Sequence, residues 1–151
     1  MKSKPWTQFA ALPFRMRDGQ PEVLLITSRE TGRWIIPKGW PAKNLAPPAV
    51  AAREAYEEAG LVGKVGKRSV GTFRYEKRLP SESVVACKVR VFLLEVREEL
   101  DQWPEQDHRE RCWLSPADAA QRVGEAELSL LLRGLPGLLG LSSASTAAKD
   151  Q

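Results

Sequence analysis

The sequence predicts an α/β fold, a mixed sheet covered by helices on both faces. Three observations predict it. Strand-like segments lie at 6–17, 22–28, 70–78 and 84–96, where apolar residues alternate or run on continuously. A helix-period segment opens at Pro47 and Pro48 and stops at Gly60, between the second and third of those strands. A second helical stretch follows Ser115 near the end of the chain. Strands around a central helix, closed by a later helix, bury both faces of one sheet.

At 151 residues, 42% hydrophobic and 28% charged, the chain suits one globular domain, placed at 1–140, with 141–151 a Ser/Ala-rich mobile tail. No apolar stretch has the length of a membrane span, and the opening Met-Lys-Ser-Lys-Pro lacks a signal peptide's apolar core. A cytoplasmic protein with no membrane partner is predicted. Cys87 and Cys112 have no metal-type spacing and read as reduced thiols, Cys87 buried. The net charge of +4 and pI near 9.3 suit a polyanionic partner. The basic residues are scattered, so no dedicated nucleic-acid surface is evident; a small phosphorylated substrate needs only a few of them.

In chain order, segment 6–17 sets Trp6, Ala10, Leu12, Phe14 and Met16 on one face, and Pro13 places it near an edge or a bulge. Asp18-Gly19-Gln20-Pro21 turns it into 22–28, whose Val-Leu-Leu-Ile run reads as a buried strand, making a hairpin. Segment 33–37 is a short extended piece. The helix after Pro47 is expected to pack Ala52, Ala55, Tyr56 and Ala59 on the sheet, with Glu54, Glu57 and Glu58 facing outward from one narrow sector, at about 100° per residue. Segment 62–65 can pair locally, and 70–78 reads as a strand. Segment 84–96 puts Val85, Cys87, Val89, Val91 and Leu93 on one face, while Lys88 and Arg90 interrupt the other, lining a groove or facing water. A polar loop over 97–108 leads to a last strand at 109–114. Ser115 and Pro116 then start a helix to about Val123, and 126–135 is a second amphipathic run.

An acid-rich helix face alone is ordinarily solvated surface. The flanking residues change that reading. Gly39, Arg53-Glu54, Glu57-Glu58 and Gly60-Leu61 together resemble the Nudix box, the loop-helix signature of the Nudix hydrolases, at all but one of its fixed positions. The departure is Leu45, where the family pattern has a glutamate; the resemblance implies that this acid mainly supports the loop, whereas the helix acids hold metal directly. It also implies a Nudix-type α/β/α sandwich with a mixed central sheet. The likeness extends over about 8–123. Residues 24–26, 33–37, 71–73, 103–105 and 109–114 look like the diphosphoinositol polyphosphate phosphohydrolase branch, whose members handle diphosphoinositol and diadenosine polyphosphates.

Clustered carboxylates repel one another unless a hard cation satisfies them, and Mg²⁺ is the ordinary oxygen-ligated choice beside phosphates, with Mn²⁺ as a substitute. By resemblance, Glu54, Glu57 and Glu58 are the metal ligands, the Gly39 carbonyl adds an oxygen, and Arg53 orients the acids. Glu54 is the first choice for the base that activates water and Glu57 the second, with Glu76, Glu82, Glu105 and Asp107 left open. Arg33, Lys38, Lys77, Arg78, Arg109 and Arg111 are candidate phosphate contacts, although each singly is also an ordinary surface charge. Trp34 and Tyr75 are candidates for stacking on an adenine, and His108 in its polar loop reads as exposed. The predicted function is divalent-metal-dependent hydrolysis of a phosphoanhydride in a nucleoside polyphosphate or a diphosphoinositol polyphosphate. Two alternatives stand beside it. Leu45 suggests a non-catalytic ligand-binding or regulatory module, and the basic pI suggests an RNA 5′-end pyrophosphohydrolase. The leaving group and the oligomeric state stay open.

Overall fold

Two stretches of alternating apolar residues, joined by Asp-Gly, begin the sheet in a computed structural model that describes residues 5–141. Strand β1 (Trp6–Arg17) and strand β2 (Gln20–Thr27) pair antiparallel across a turn in which Asp18 and Gly19 both take positive φ, the conformation a tight two-residue hairpin requires. The two strands pair only from Phe14 to Arg17 and then part. Strand β4 (Lys38–Gly39) enters the gap and pairs with Phe9 and Ala10.

Along its other side β1 runs parallel to the long strand β7 (Val84–Glu99). β1 is therefore central, a correction to the edge position read from Pro13. Its missing N–H is tolerated because Pro13 falls after the β4 ladder has ended and before the β2 ladder begins. Strands β5 (Leu61–Val65) and β6 (Gly71–Arg78) lie antiparallel on successive parts of β7, while β3 (Trp34–Ile35) and β8 (Arg111–Leu114) lie antiparallel on β2. One parallel pair among antiparallel ones makes the sheet mixed, as predicted.

Because side chains alternate across a strand, the sheet has two apolar faces. Ala10, Leu12, Val23, Leu25, Val89 and Val91 meet helices α2 (Pro116–Arg122), α3 (Ala126–Arg133) and α4 (Leu135–Leu138) through Ala119, Leu128, Leu132 and Leu135. Phe9, Ala11, Leu24, Ile26, Phe92 and Leu94 meet helix α1 (Pro47–Ala59). The result is the expected α/β/α sandwich. Ser115 caps α2 by accepting the Asp118 N–H at 3.1 Å, with Pro116 in the first turn. Lys88 and Arg90 line no groove near the site; the Arg90 guanidinium lies 5.5 Å from the Phe92 ring and 5.9 Å from that of Phe9. Residues 142–151, nearly all of the expected tail, lie outside the described residues. Among the described residues no helix is long and apolar enough to cross a membrane.

The face α1 turns to the sheet also differs from the one expected. Val50, Ala51, Ala55 and Ala59 are buried, whereas Tyr56 is exposed. Glu58 is buried with them. Placing the acids opposite the packing face was incorrect, because at helical spacing Glu54 and Glu58 fall between Val50 and Ala51 around the axis, inside the covered arc.

Candidate active site

The C-terminal end of α1 would leave its last carbonyls unpaired, and the loop at 100–110 together with β8 answers each of them. The Glu105 N–H donates to Glu57 O at 3.0 Å, Trp103 Nε1 to Glu58 O at 3.1 Å, Arg111 to Ala59 O at 2.9 Å and the Leu100 N–H to Gly60 O at 2.8 Å. Gly60 has φ 68°, and a Cβ there would stand 2.7 Å from the Trp103 ring. Both the backbone conformation and the indole demand glycine. The Arg111 guanidinium stacks 3.9 Å from the Trp103 ring. The helix that carries the acids is thus held rigidly at its end.

Further along the helix, Glu54 folds back onto the strand-to-helix loop. A Cβ on Gly39 would lie 2.5 Å from Glu54 Oε2, so this glycine makes room for the carboxylate. Glu58 reaches the same place from one turn on and accepts the Lys38 N–H at 3.2 Å. Arg109, buried, lies 3.5 Å from Glu58 and 2.8 Å from Glu105, and donates to Thr27 O at 3.1 Å. Burial pushes the Glu58 carboxyl up to about 8, against the pull of Arg109, with Glu54 adding like-charge repulsion. Burial raises Glu54 as well. Two carboxylates desolvated side by side against the backbone of Lys38 and Gly39 offer oxygen donors of the kind that suits a hard divalent cation.

Glu57 stands apart. Its side chain is 41% exposed and lies 3.9 Å from Arg53, which is itself exposed and 3.9 Å from Glu54. Among the described residues no three Glu, Asp, His or Cys side chains are gathered in metal-coordinating positions. The three helix acids therefore do not converge here as their spacing suggested; two line the cleft and the third flanks it.

Glu54, Glu58 and Gly39 lie in a cleft of roughly 1210 Å³ whose walls carry Arg33, Lys38, Lys77, Arg78 and Arg109. Lys77 and Arg78 come from the end of β6, and Lys38 from the position before Gly39. Lys38 Nζ sits 4.9 Å from the Tyr75 ring, and desolvation lowers its pKa while Glu58 raises it. Arg33 reaches the cleft from the loop before β3, 3.8 Å from the buried Glu125.

Arg111 is the exception among the six basic candidates. Its nitrogens are committed to Ala59 O, to Leu100 O at 2.7 Å and to Glu99 at 3.5 Å, and it does not line the cleft. Arg109 lines the cleft but spends its charge on Glu58 and Glu105. Trp34 packs against the core under Arg122, away from the cleft, whereas Tyr75 lines it and donates its hydroxyl to Gln8. His108 also lines the cleft. Sequence reasoning missed Gln8 and Trp40 as cleft residues and Trp103 as the cover of the helix end. For Trp40 a signal was present, since it directly follows Gly39.

Leu45 is 38% exposed and closes a turn, its N–H donating to Ala42 O at 3.2 Å, with Asn44 at φ 67°. The loop is held by its own backbone at the position where the box pattern has an acid.

The NUDIX domain matches the chain over residues 6–133. The chain is 38% identical over 107 residues to Nudix hydrolase 13, mitochondrial, of Arabidopsis thaliana, covering 66% of this chain and 52% of that protein. It is 35% identical over 112 residues to diphosphoinositol polyphosphate phosphohydrolase 2 of Rattus norvegicus, covering 73% of this chain and 58% of the relative. It spans just over half the length of these curated relatives. Among solved structures, a C. elegans Ap4A hydrolase binary complex superposes with a TM-score of 0.70 at 23% identity, covering 89% of this chain and 98% of that one. The Shewanella oneidensis NrtR NUDIX domain complexed with ADP ribose gives 0.67 at 17%, covering 91% and 90%. Likeness at those identities speaks for the fold. With a domain match running from the first strand into α3, the chain belongs to the Nudix family.

Proposed function

We propose that this chain is a divalent-metal-dependent pyrophosphohydrolase cleaving a phosphoanhydride in a nucleoside polyphosphate or a diphosphoinositol polyphosphate. The observation that carries the reading is the placement of Glu54 and Glu58, two desolvated carboxylates against the Gly39 backbone, on the floor of a cleft walled by basic side chains. A dense anion fits the walls; a cation fits the floor. Glu54, Glu58 and the Gly39 carbonyl would hold Mg²⁺ or Mn²⁺, with Glu57 and Arg53 at their margin. When bound, the ion neutralises phosphate oxygens and makes water a better nucleophile.

The chain's own residues divide the remaining work. Arg109 fixes Glu58 from behind, so the carboxylate stays in place as ligands come and go. Glu54, raised by burial, accepts the proton of the attacking water at its carboxylate. Lys38, Lys77, Arg78 and Arg33 hold the oxygens of the leaving and transferred phosphates, arginine by paired hydrogen bonds and lysine as a point charge.

The test is a panel of dinucleoside polyphosphates, diphosphoinositols, nucleoside triphosphates, nucleotide sugars and triphosphorylated RNA, with Mg²⁺ or Mn²⁺ and product identification. Turnover of at least one small ligand is expected, and Glu54→Gln should lower kcat by about 10²- to 10⁴-fold with the fold intact. No turnover anywhere on the panel would end the proposal. A non-catalytic ligand-binding role is the second reading, favoured by Leu45 and by the outlying Glu57; ligand binding without turnover would select it.

A further inference from the structure

Two large apolar side chains stand in water beside one another, and one of them, Trp40, lines the cleft. Trp6 is 46% exposed and Trp40 is 39% exposed. Their rings meet edge to face, with centroids 5.6 Å apart and planes at 69°, a preferred aromatic geometry that fixes the orientation of both. Trp6 begins β1 and Trp40 follows β4, which pairs with the same strand, so the sheet itself sets the two indoles side by side. Trp40 lines the cleft next to Gly39, within the wall that includes Gln8, Lys38 and Tyr75.

The other aromatic residues near the site are occupied. Tyr75 has Lys38 over its ring, Phe73 beside it at 6.4 Å and its hydroxyl on Gln8. Trp34, half-buried, packs against the core and does not line the cleft. Trp40 therefore supplies the exposed aromatic surface of the cleft, and it stands one residue from the glycine over which Glu54 is folded. A ligand whose phosphates lie between the acids and the basic wall would carry its next group towards this indole.

We infer that Trp40, braced by Trp6, is a stacking platform for a nucleobase, and that the substrate class is a nucleoside polyphosphate rather than a fully phosphorylated inositol. The inference rests on the phosphoanhydride reading of the cleft and chooses between the two substrate classes within it. A nucleobase offers a flat π face that an indole can cover; an inositol ring carrying phosphate at every position offers none and uses only the basic residues. Stacking is tolerant of base identity, so the platform selects for a base without specifying which one.

The experiment compares diadenosine tetraphosphate with inorganic tripolyphosphate, which has the phosphates and no base. Affinities are measured by calorimetry in a Glu54→Gln background, so that ligand is not consumed. Trp40→Ala is expected to weaken diadenosine tetraphosphate binding about tenfold and leave tripolyphosphate binding roughly unchanged, with Trp40→Phe retaining most of the affinity. Trp6→Ala should give a smaller loss of the same kind. Urea midpoints of all variants establish that they are folded, and the phenylalanine variant keeps the test open if the alanine one is not. An unchanged dinucleotide affinity in Trp40→Ala, or an equal fall for both ligands, would overturn the inference while leaving the cleft's phosphate reading in place. Failure of the parent to bind either ligand would remove both.

Discussion

At Gly39 the lack of a side chain lets Glu54 lie across the loop, and this can be probed without disturbing the core. In Gly39→Ala the new methyl meets the far end of a flexible side chain, so Glu54 would swing aside and the fold would hold. A carboxylate misplaced by about an ångström costs roughly a hundredfold in rate. Gly39→Ala is therefore expected to lose about that much kcat with its thermal midpoint unchanged; a fully active variant would show that Glu54 works from another position. That Gly39, Glu54 and Glu58 share one cleft was legible in the sequence, because a single motif carries all three. Arg109 and Arg111 were not, because both read as free cations until the fold brings Glu58 to the first and Ala59 O to the second.

Helix α1 was legible at both ends, through Pro47 and Pro48 at the start and Gly60 with φ 68° at the stop. Its inward face was misread because the helix lies rotated so that Glu58 is covered and Tyr56 is not, and spacing alone does not say which arc the sheet takes. Strand β4 was invisible for a related reason. Two residues become a strand only by pairing with β1. The end of α1 offers the sharpest test at this scale. Arg111→Ala removes donors to Ala59 O and Leu100 O and the cover over Trp103, and is expected to lower stability by about 3 kcal/mol in urea denaturation. Arg111→Lys should restore little, since one ammonium cannot serve both carbonyls and stack on the indole. If Arg111→Ala instead kept its midpoint and lost only substrate affinity, the phosphate-contact role expected from sequence would stand and the structural one would fall.

Across the whole molecule the buried acids make stability depend on pH. Glu58 has its folded carboxyl raised to about 8, against the ordinary 4.5 of an unfolded chain. The folded protein then holds a proton more tightly than the unfolded one, so this contribution is complete below about 4.5 and is lost as pH rises through about 8. Thermal melts in EDTA should show the midpoint falling across that window. Added Mg²⁺ should raise it most at the alkaline end, and Glu58→Gln should flatten the profile. A pH-independent midpoint in EDTA would mean that Arg109 neutralises Glu58 completely. The α/β class and the two covered faces were legible from periodicity. The parallel pairing of β1 with β7 was not, since it joins segments far apart in sequence. That pairing gives β7 a mechanical role. One part of the strand aligns β6, which ends in Lys77 and Arg78; the far end delivers the chain to the loop that grips α1. β7 acts as a ruler between the basic wall and the acidic floor, so deleting one residue from it would shift both at once, even though neither contains a residue of β7.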